Sequence, residues 1–116
     1  MTNIASDETK KIPANRWADW SATFTNGNRG RVLKIELVSD EMGAEPLVNG
    51  APLVALDYDP AGKGSNFVFS YGDEAAPSSH VVAGPVALWQ AQDENGLVAS
   101  LEVEAEDGSR TIVTLN

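Results

Sequence analysis

Apolar residues in this 116-residue chain recur mostly at every second position. That is the period of a β-strand, whose successive side chains point to opposite faces. In Arg31 to Val38, Leu33, Ile35 and Leu37 alternate with Val32, Lys34 and Glu36, which predicts a half-buried strand. Leu53 to Tyr58 predicts a second strand. Asp59, extended because a proline follows it, continues that strand, and Pro60 ends regular pairing. Asn66 to Tyr71 sets Phe67, Phe69 and Tyr71 against Val68 and Ser70. His80–Ala83 and Val86–Gln92 are apolar runs separated by Gly84-Pro85, so they read as two strands or as one bent strand. Leu97–Ala105 and Arg110–Leu115 complete the set.

Only one stretch keeps the helical period. Trp17, Trp20 and Phe24 stand at i, i+3 and i+7, on one face of a helix. Pro13 suits a first helical turn, and Asn26-Gly27 offers the left-handed residue that ends many helices. The predicted helix covers 13–25. Ser39 to Met42 reads as a short helical turn before Gly43, and Pro46, Asn49-Gly50 and Pro52 punctuate a loop or tight hairpin. Ala61–Ser65 reads as a flexible turn and Gly72–Ser79 as a loop. Asp93–Gly96 and Glu106–Gly108 are hairpin turns.

The last hairpin allows a choice of register. Leu97, Ala99, Leu101, Val103 and Ala105 share one face in simple alternation, opposite Glu102 and Glu104. A two-residue Asp107-Gly108 turn would set Ile112 opposite Val103 and leave Val113 and Leu115 outward. A three-residue Glu106-Asp107-Gly108 loop puts Thr111, Val113 and Leu115 on the Leu101 face. A slip of one residue flips every side chain, and the three-residue loop buries more apolar surface. We therefore expect the three-residue loop.

These elements predict an α+β fold: an N-terminal helix packed on a curved, mainly antiparallel sheet of about six strands, with closure into a small barrel left open by the pattern. Helices and strands do not alternate, which argues against βαβ units and a parallel sheet. Residues 1–11 are a polar lead, expected to fray, and 12–116 form a single domain.

Charge narrows the partners. The net charge is −9, with six basic and nine acidic side chains in residues 1–60 and two and eight after them. Lys10, Lys11, Arg16, Arg29, Arg31 and Lys34 read first as scattered solvated charge and second as a local basic patch. An acidic chain without a basic face is a poor match for phosphate backbones or anionic membranes, so neither nucleic acid nor membrane is expected as partner. There is no cysteine, hence no disulfide, thiolate metal site or cysteine nucleophile. Residues 1–11 lack an apolar leader run, and no apolar stretch reaches membrane length, so a soluble cytoplasmic protein is expected.

Candidate chemistry is sparse. His80 is the sole histidine, which rules out a two-histidine metal site, and no Gly-x-Ser-x-Gly elbow presents a serine to it. Asp57-Tyr58-Asp59-Pro60-Ala61-Gly62 matches an EF-hand loop at positions 1, 3 and 6, but Ala61 and Val68 stand where ligands are needed. Strand alternation places Asp57 and Asp59 on one face, about 7 Å apart, with Tyr58 on the other. Gly62-Lys63-Gly64-Ser65 lacks the rest of a phosphate loop. Glu102 and Glu104 mark the wet side of their strand. Trp17 and Trp20 read first as core and second as a partner-binding face, where tryptophan is enriched.

Ile12-Pro13 leading to Trp17, Arg29-Gly30, Gly43 with Pro46-Leu47, Pro52-Leu53 with Leu56-Asp57-Tyr58-Asp59, and the late Asp107-Gly108 turn give the chain a resemblance. It resembles a bacterial family of small proteins known only as a domain of unknown function. The resemblance covers most of 12–116 and implies one compact domain, but no activity, cofactor or catalytic residue. The residues point first to a non-enzymatic domain that self-associates or binds an unidentified protein partner. The competing expectation is a small-ligand or metal-binding domain, or an enzyme, with Asp57, Tyr58, Asp59, His80 and Arg31 lining one pocket. No catalytic residue, resident metal or cofactor is assigned.

Overall fold

The computed structural model describes residues 8–60 and 65–116. The sequence-predicted turn at Ala61–Ser65, apart from Ser65, and most of the polar lead lie outside the described residues. Strand β1 (Glu8–Lys11) leads through a 3₁₀ turn (Ala14–Arg16) into helix α1 (Trp17–Asn28). Then come β2 (Val32–Ser39), β3 (Gly43–Asp59), β4 (Asn66–Tyr71), β5 (Ser78–Ala83), β6 (Pro85–Gln92), β7 (Val98–Ala105) and β8 (Arg110–Leu115). All eight strands lie in one antiparallel sheet of order β1-β6-β7-β8-β2-β3-β4-β5. The fold is α+β, as the periodicity indicates, but among the described residues the strands number eight rather than about six, and their sheet does not close.

Two additions explain the larger count. Gly84, at φ +62°, divides the Ser78–Gln92 stretch into β5 and β6, which lie far apart in the strand order. The polar residues Glu8–Lys11 pair along β6, from Glu8 opposite Gln92 to Lys11 opposite Trp89. Backbone hydrogen bonding, rather than apolar patterning, makes that strand.

The helix begins and ends later than its sequence signals suggest. Asn26-Gly27 does not stop it. Asn28 Nδ2 donates to the Phe24 carbonyl at 2.9 Å, and the left-handed turn falls at Gly30, φ +91°. The helix ends three residues later than predicted, at Asn28, without growing longer.

β3 is the largest correction. The interval read as a loop through Pro46 and Pro52 is continuous strand, and the stretch read as a short helical turn is a tight turn, residues 40–42, between Ser39 of β2 and Gly43 of β3. Seventeen extended residues would span roughly 56 Å, at about 3.3 Å each. The molecule measures 42 Å along its longest axis, so β3 must bend. Its first part, to Pro52, pairs only with β2, and its second part, from Leu53, pairs with β4. Pro46 therefore sits where β3 pairs with β2 alone, whereas Pro52 stands at the switch between partners, its carbonyl accepting the Gly72 N–H at 2.9 Å, and the pairing with β2 is irregular at two points. A residue without an N–H is tolerated there.

The end of the chain follows the expected register. Val103 faces Thr111 and Leu101 faces Val113, with a three-residue loop between Ala105 and Ser109. Leu101, Val103, Ala105, Thr111, Val113 and Leu115 are all buried. At the other end of β7, a bulge between β6 and β7 interrupts simple alternation. Val98 is buried there and Leu97 is exposed, the reverse of the expected faces.

The core lies inside the curl of the sheet, with Phe67, Phe69, Leu33, Ile35, Leu53, Leu56, Leu88 and Leu101 wholly buried. Helix α1 lies against the second part of β3, opposite its pairing with β4. Trp17, 4% exposed, meets Tyr58 edge-on at 5.4 Å and Phe67 at 5.2 Å between ring centroids. No helix among the described residues is long and apolar enough to cross a membrane.

Candidate functional site

Strand alternation on β3 separates the carboxylates from the tyrosine. Asp57 and Asp59 are exposed, while Tyr58 turns inward to Trp17 and Phe67. The Tyr58 hydroxyl shares a hydrogen bond with Ser65 Oγ at 3.1 Å. Asp57 and Tyr58 line an open cleft of about 330 Å³ between α1 and β3. Its other walls include Ala18, Ser21, Thr25 and Arg29. Asp59, Arg31 and His80 are not among its lining residues.

Small side chains on the helix make this cleft. Thr25 fits against the strand and binds it twice: its hydroxyl accepts the Leu56 N–H at 2.9 Å and donates to the Leu56 carbonyl at 3.0 Å. β2 does not reach this part of β3, so the helix supplies the missing partner. Arg29 Nε donates to the Val54 carbonyl at 3.3 Å. Ser21 is 2% exposed, and its hydroxyl has no hydrogen-bond partner. That oxygen is sealed from the cleft as well as from solvent.

Arg31 serves the structure elsewhere. Its Nη1 donates to Asn28 Oδ1 at 2.8 Å and to the Val98 carbonyl at 2.7 Å, tying the end of α1 to the start of β7. His80 points from β5 into the fold, where Nε2 shares a hydrogen bond with Thr111 Oγ1 at 3.2 Å. Burial pushes its imidazole below the ordinary pKa of 6.5, because a buried ring is harder to charge. Among the described residues, no three His, Asp or Glu side chains are grouped to hold a metal ion.

The tryptophans divide between core and surface. Trp17 Nε1 donates to the Ile12 carbonyl at 2.9 Å, satisfying its one polar atom inside the core. Trp20 is half-buried, stacked on Phe24 at 5.1 Å, and donates to Gln90 Oε1 at 3.2 Å. The outward-facing tryptophan is Trp89, which the sequence reading left within an apolar run. Leu88 and Gln90 take the inner face of β6, so Trp89 must take the outer one. Its indole donates to Glu104 at 3.0 Å, and the Lys11 ammonium lies 5.5 Å from its centroid. The surrounding groove of about 340 Å³ is lined by Thr9, Ala91, Ser100, Glu102 and Glu104. Both carboxylates are already engaged, Glu104 by Trp89 and Glu102 by Arg110 at 3.6 Å.

A different kind of site lies at the end of the sheet. β5 pairs with β4 in unbroken register, and no hydrogen bond from the described residues reaches its other side. Ser78, Ser79, Val81 and Ala83 are exposed there, and the strand carries no proline and no carboxylate, lysine or arginine. The other free edges differ. Among the described residues, β1 carries Lys10 and Lys11, and the first part of β3 carries Glu45 and Pro46.

Comparison with known proteins places the chain without supplying a chemistry. The model of a family described as a family of unknown function (DUF5335) matches residues 8–116. An uncharacterised protein of Aquifex aeolicus is 25% identical over 107 residues, covering 92% of this chain and 91% of the relative. No solved structure matches.

Proposed function

The chain belongs to the DUF5335 family of unknown function, and from its geometry we propose a non-enzymatic protein-interaction domain, with self-association as its first mode. The observation that carries this reading is β5, a neutral strand with one side unpaired among the described residues. An unpaired strand presents N–H and carbonyl groups that another strand can complete. Proteins usually blunt such edges with charge, proline or bulges; β1 and the first part of β3 are blunted here, and β5 is not. A net charge of −9 disfavours nucleic acid and anionic membranes as alternatives. We place this function in the cytoplasm, over a single domain of residues 12–116. Light scattering after size exclusion, over a wide concentration range, tests the reading. The mass should rise from 12.3 kDa toward twice that value. A strict monomer throughout would count against self-association.

The cleft beside Asp57 and Tyr58 favours a second reading, a small-ligand site of about 330 Å³. A thermal-shift screen against divalent metals and common metabolites tests it, using wild type and the Asp57→Asn/Asp59→Asn double variant. A ligand at 100 times its Kd adds about 2.7 kcal/mol. A shift lost in the variant would support the site, and no shift with any compound would argue against it.

A further inference from the structure

Resting on the self-association reading, we propose that two copies join β5 to β5 in antiparallel register about a two-fold axis at Val81. The phase of the backbone selects the register. In an antiparallel sheet, alternate residues turn both backbone groups to one neighbour and the intervening residues turn theirs to the other. Gly84 donates to the Ser65 carbonyl at 3.0 Å, continuing the register in which Ala83 faces Asn66. Residues in step with Gly84, namely Val82, His80 and Ser78, therefore turn toward β4. Gly72 confirms the phase from the opposite side, since it donates to Pro52 of β3 at 2.9 Å. Residues of β4 in step with it face β3, which leaves Phe67, Phe69 and Tyr71 to face Val82, His80 and Ser78. The vacant side of β5 thus presents the backbone groups of Ser79, Val81 and Ala83.

A two-fold at Val81 sets Val81 against its own copy and Ser79 against Ala83 of the second copy. Every outward N–H and carbonyl of these residues then finds a partner. Centring on His80 instead sets Ala83 against Pro77, which has no N–H, and centring on Val82 sets Ser79 against Pro85. The outer face agrees with the Val81 register. Val81 is 51% exposed and sits beside Val68 of β4, so the seam forms a row of Val68, Val81, Val81 and Val68 across both copies. Ser79 and Ala83 are small and add no clash. Neither copy brings a carboxylate, lysine or arginine of β5 to the seam. The acidic chains still repel at longer range, so added salt should tighten the pair.

The chain contains no cysteine, so single cysteine substitutions report the geometry without background. Cα atoms of a hydrogen-bonded antiparallel pair lie about 5.5 Å apart, inside the roughly 4.4–6.8 Å that a disulfide spans. Under mild oxidation Val81→Cys should convert to a linked dimer. Ser79→Cys and Ala83→Cys should each stay unlinked alone and should link when mixed. Val81→Lys, at an exposed position, should keep its far-UV circular dichroism and run as a monomer. A dimer that links through Ser79→Cys alone, or survives Val81→Lys, overturns this register while leaving self-association standing. A wild-type monomer at all concentrations overturns both.

Discussion

At the scale of single residues, buried hydroxyls at the helix–strand contact play opposite roles. The Thr25 hydroxyl satisfies both backbone groups of Leu56 at an edge that β2 does not cover. Thr25→Val keeps the shape and removes those bonds, so it should cost about 1–3 kcal/mol in denaturant unfolding, and Thr25→Ser should recover most of the loss. The Ser21 hydroxyl is buried without a partner. Ser21→Ala should therefore leave stability unchanged or raise it by about 1 kcal/mol. His80 adds a pH dependence. Its folded pKa lies below 6.5, so the folded state binds fewer protons than the unfolded chain as pH falls. Its contribution is fully present above 6.5 and is lost as pH falls through the folded pKa. Stability measured from pH 7.5 down to pH 5 should decline more steeply in wild type than in His80→Gln; equal slopes would remove His80 as the cause.

At the scale of elements, the accurate expectations were those with a local cause. Asn66–Tyr71 alternates cleanly because one face meets the core, and β4 has those bounds. The Asp107-Gly108 loop sets the β7–β8 register through neighbours in sequence, and Gly108 takes φ +91° there. β3 defeats the same reasoning, since prolines ordinarily signal a break. Pro46 is accommodated where the strand is paired on one side only, and Pro52 where its pairing passes from β2 to β4, so neither interrupts a ladder bonded continuously on both sides. The helix shows a related limit. The i, i+3, i+7 spacing identifies its inner face, but packing decides how deeply each aromatic sits. Trp17 lies in the core and Trp20 at its margin. Trp17→Ala should cost about 3–5 kcal/mol, and Trp20→Ala should cost clearly less, by the same denaturation measurement. Equal losses would contradict the difference in burial.

At the scale of the whole molecule, an open antiparallel sheet has edges, and their chemistry sets what the protein can do with them. Of the edges left unpaired among the described residues, β1 and the first part of β3 carry charge or proline, and β5 carries neither. A dimer formed through β5 would also oppose two chains of net charge −9. Sedimentation at about 50 mM and 500 mM salt should therefore show a tighter dimer at the higher ionic strength, because the Debye length falls from above 10 Å toward a few ångströms. A dimer that weakens with salt would instead indicate attraction between opposite charges.

The sequence alone determined the α+β class, most strand positions and the register of the last hairpin. It also determined an acidic surface and the absence of cysteine chemistry. These follow from periodicity, turn residues and composition, which act within a few residues or over the chain as a whole. Tertiary structure alone decided the strand order, the continuity of β3 through its prolines, and the separation of β5 from β6. It also decided which tryptophan faces outward and which carboxylates share a cleft with Arg29. Each depends on which segment lies beside which, and backbone pairing across long separations leaves no periodic mark in the residues that form it. The free edge of β5 is a case in point: Ser-Ser-His-Val-Val-Ala reads the same in a central strand, and only its place at the end of the sheet makes it available.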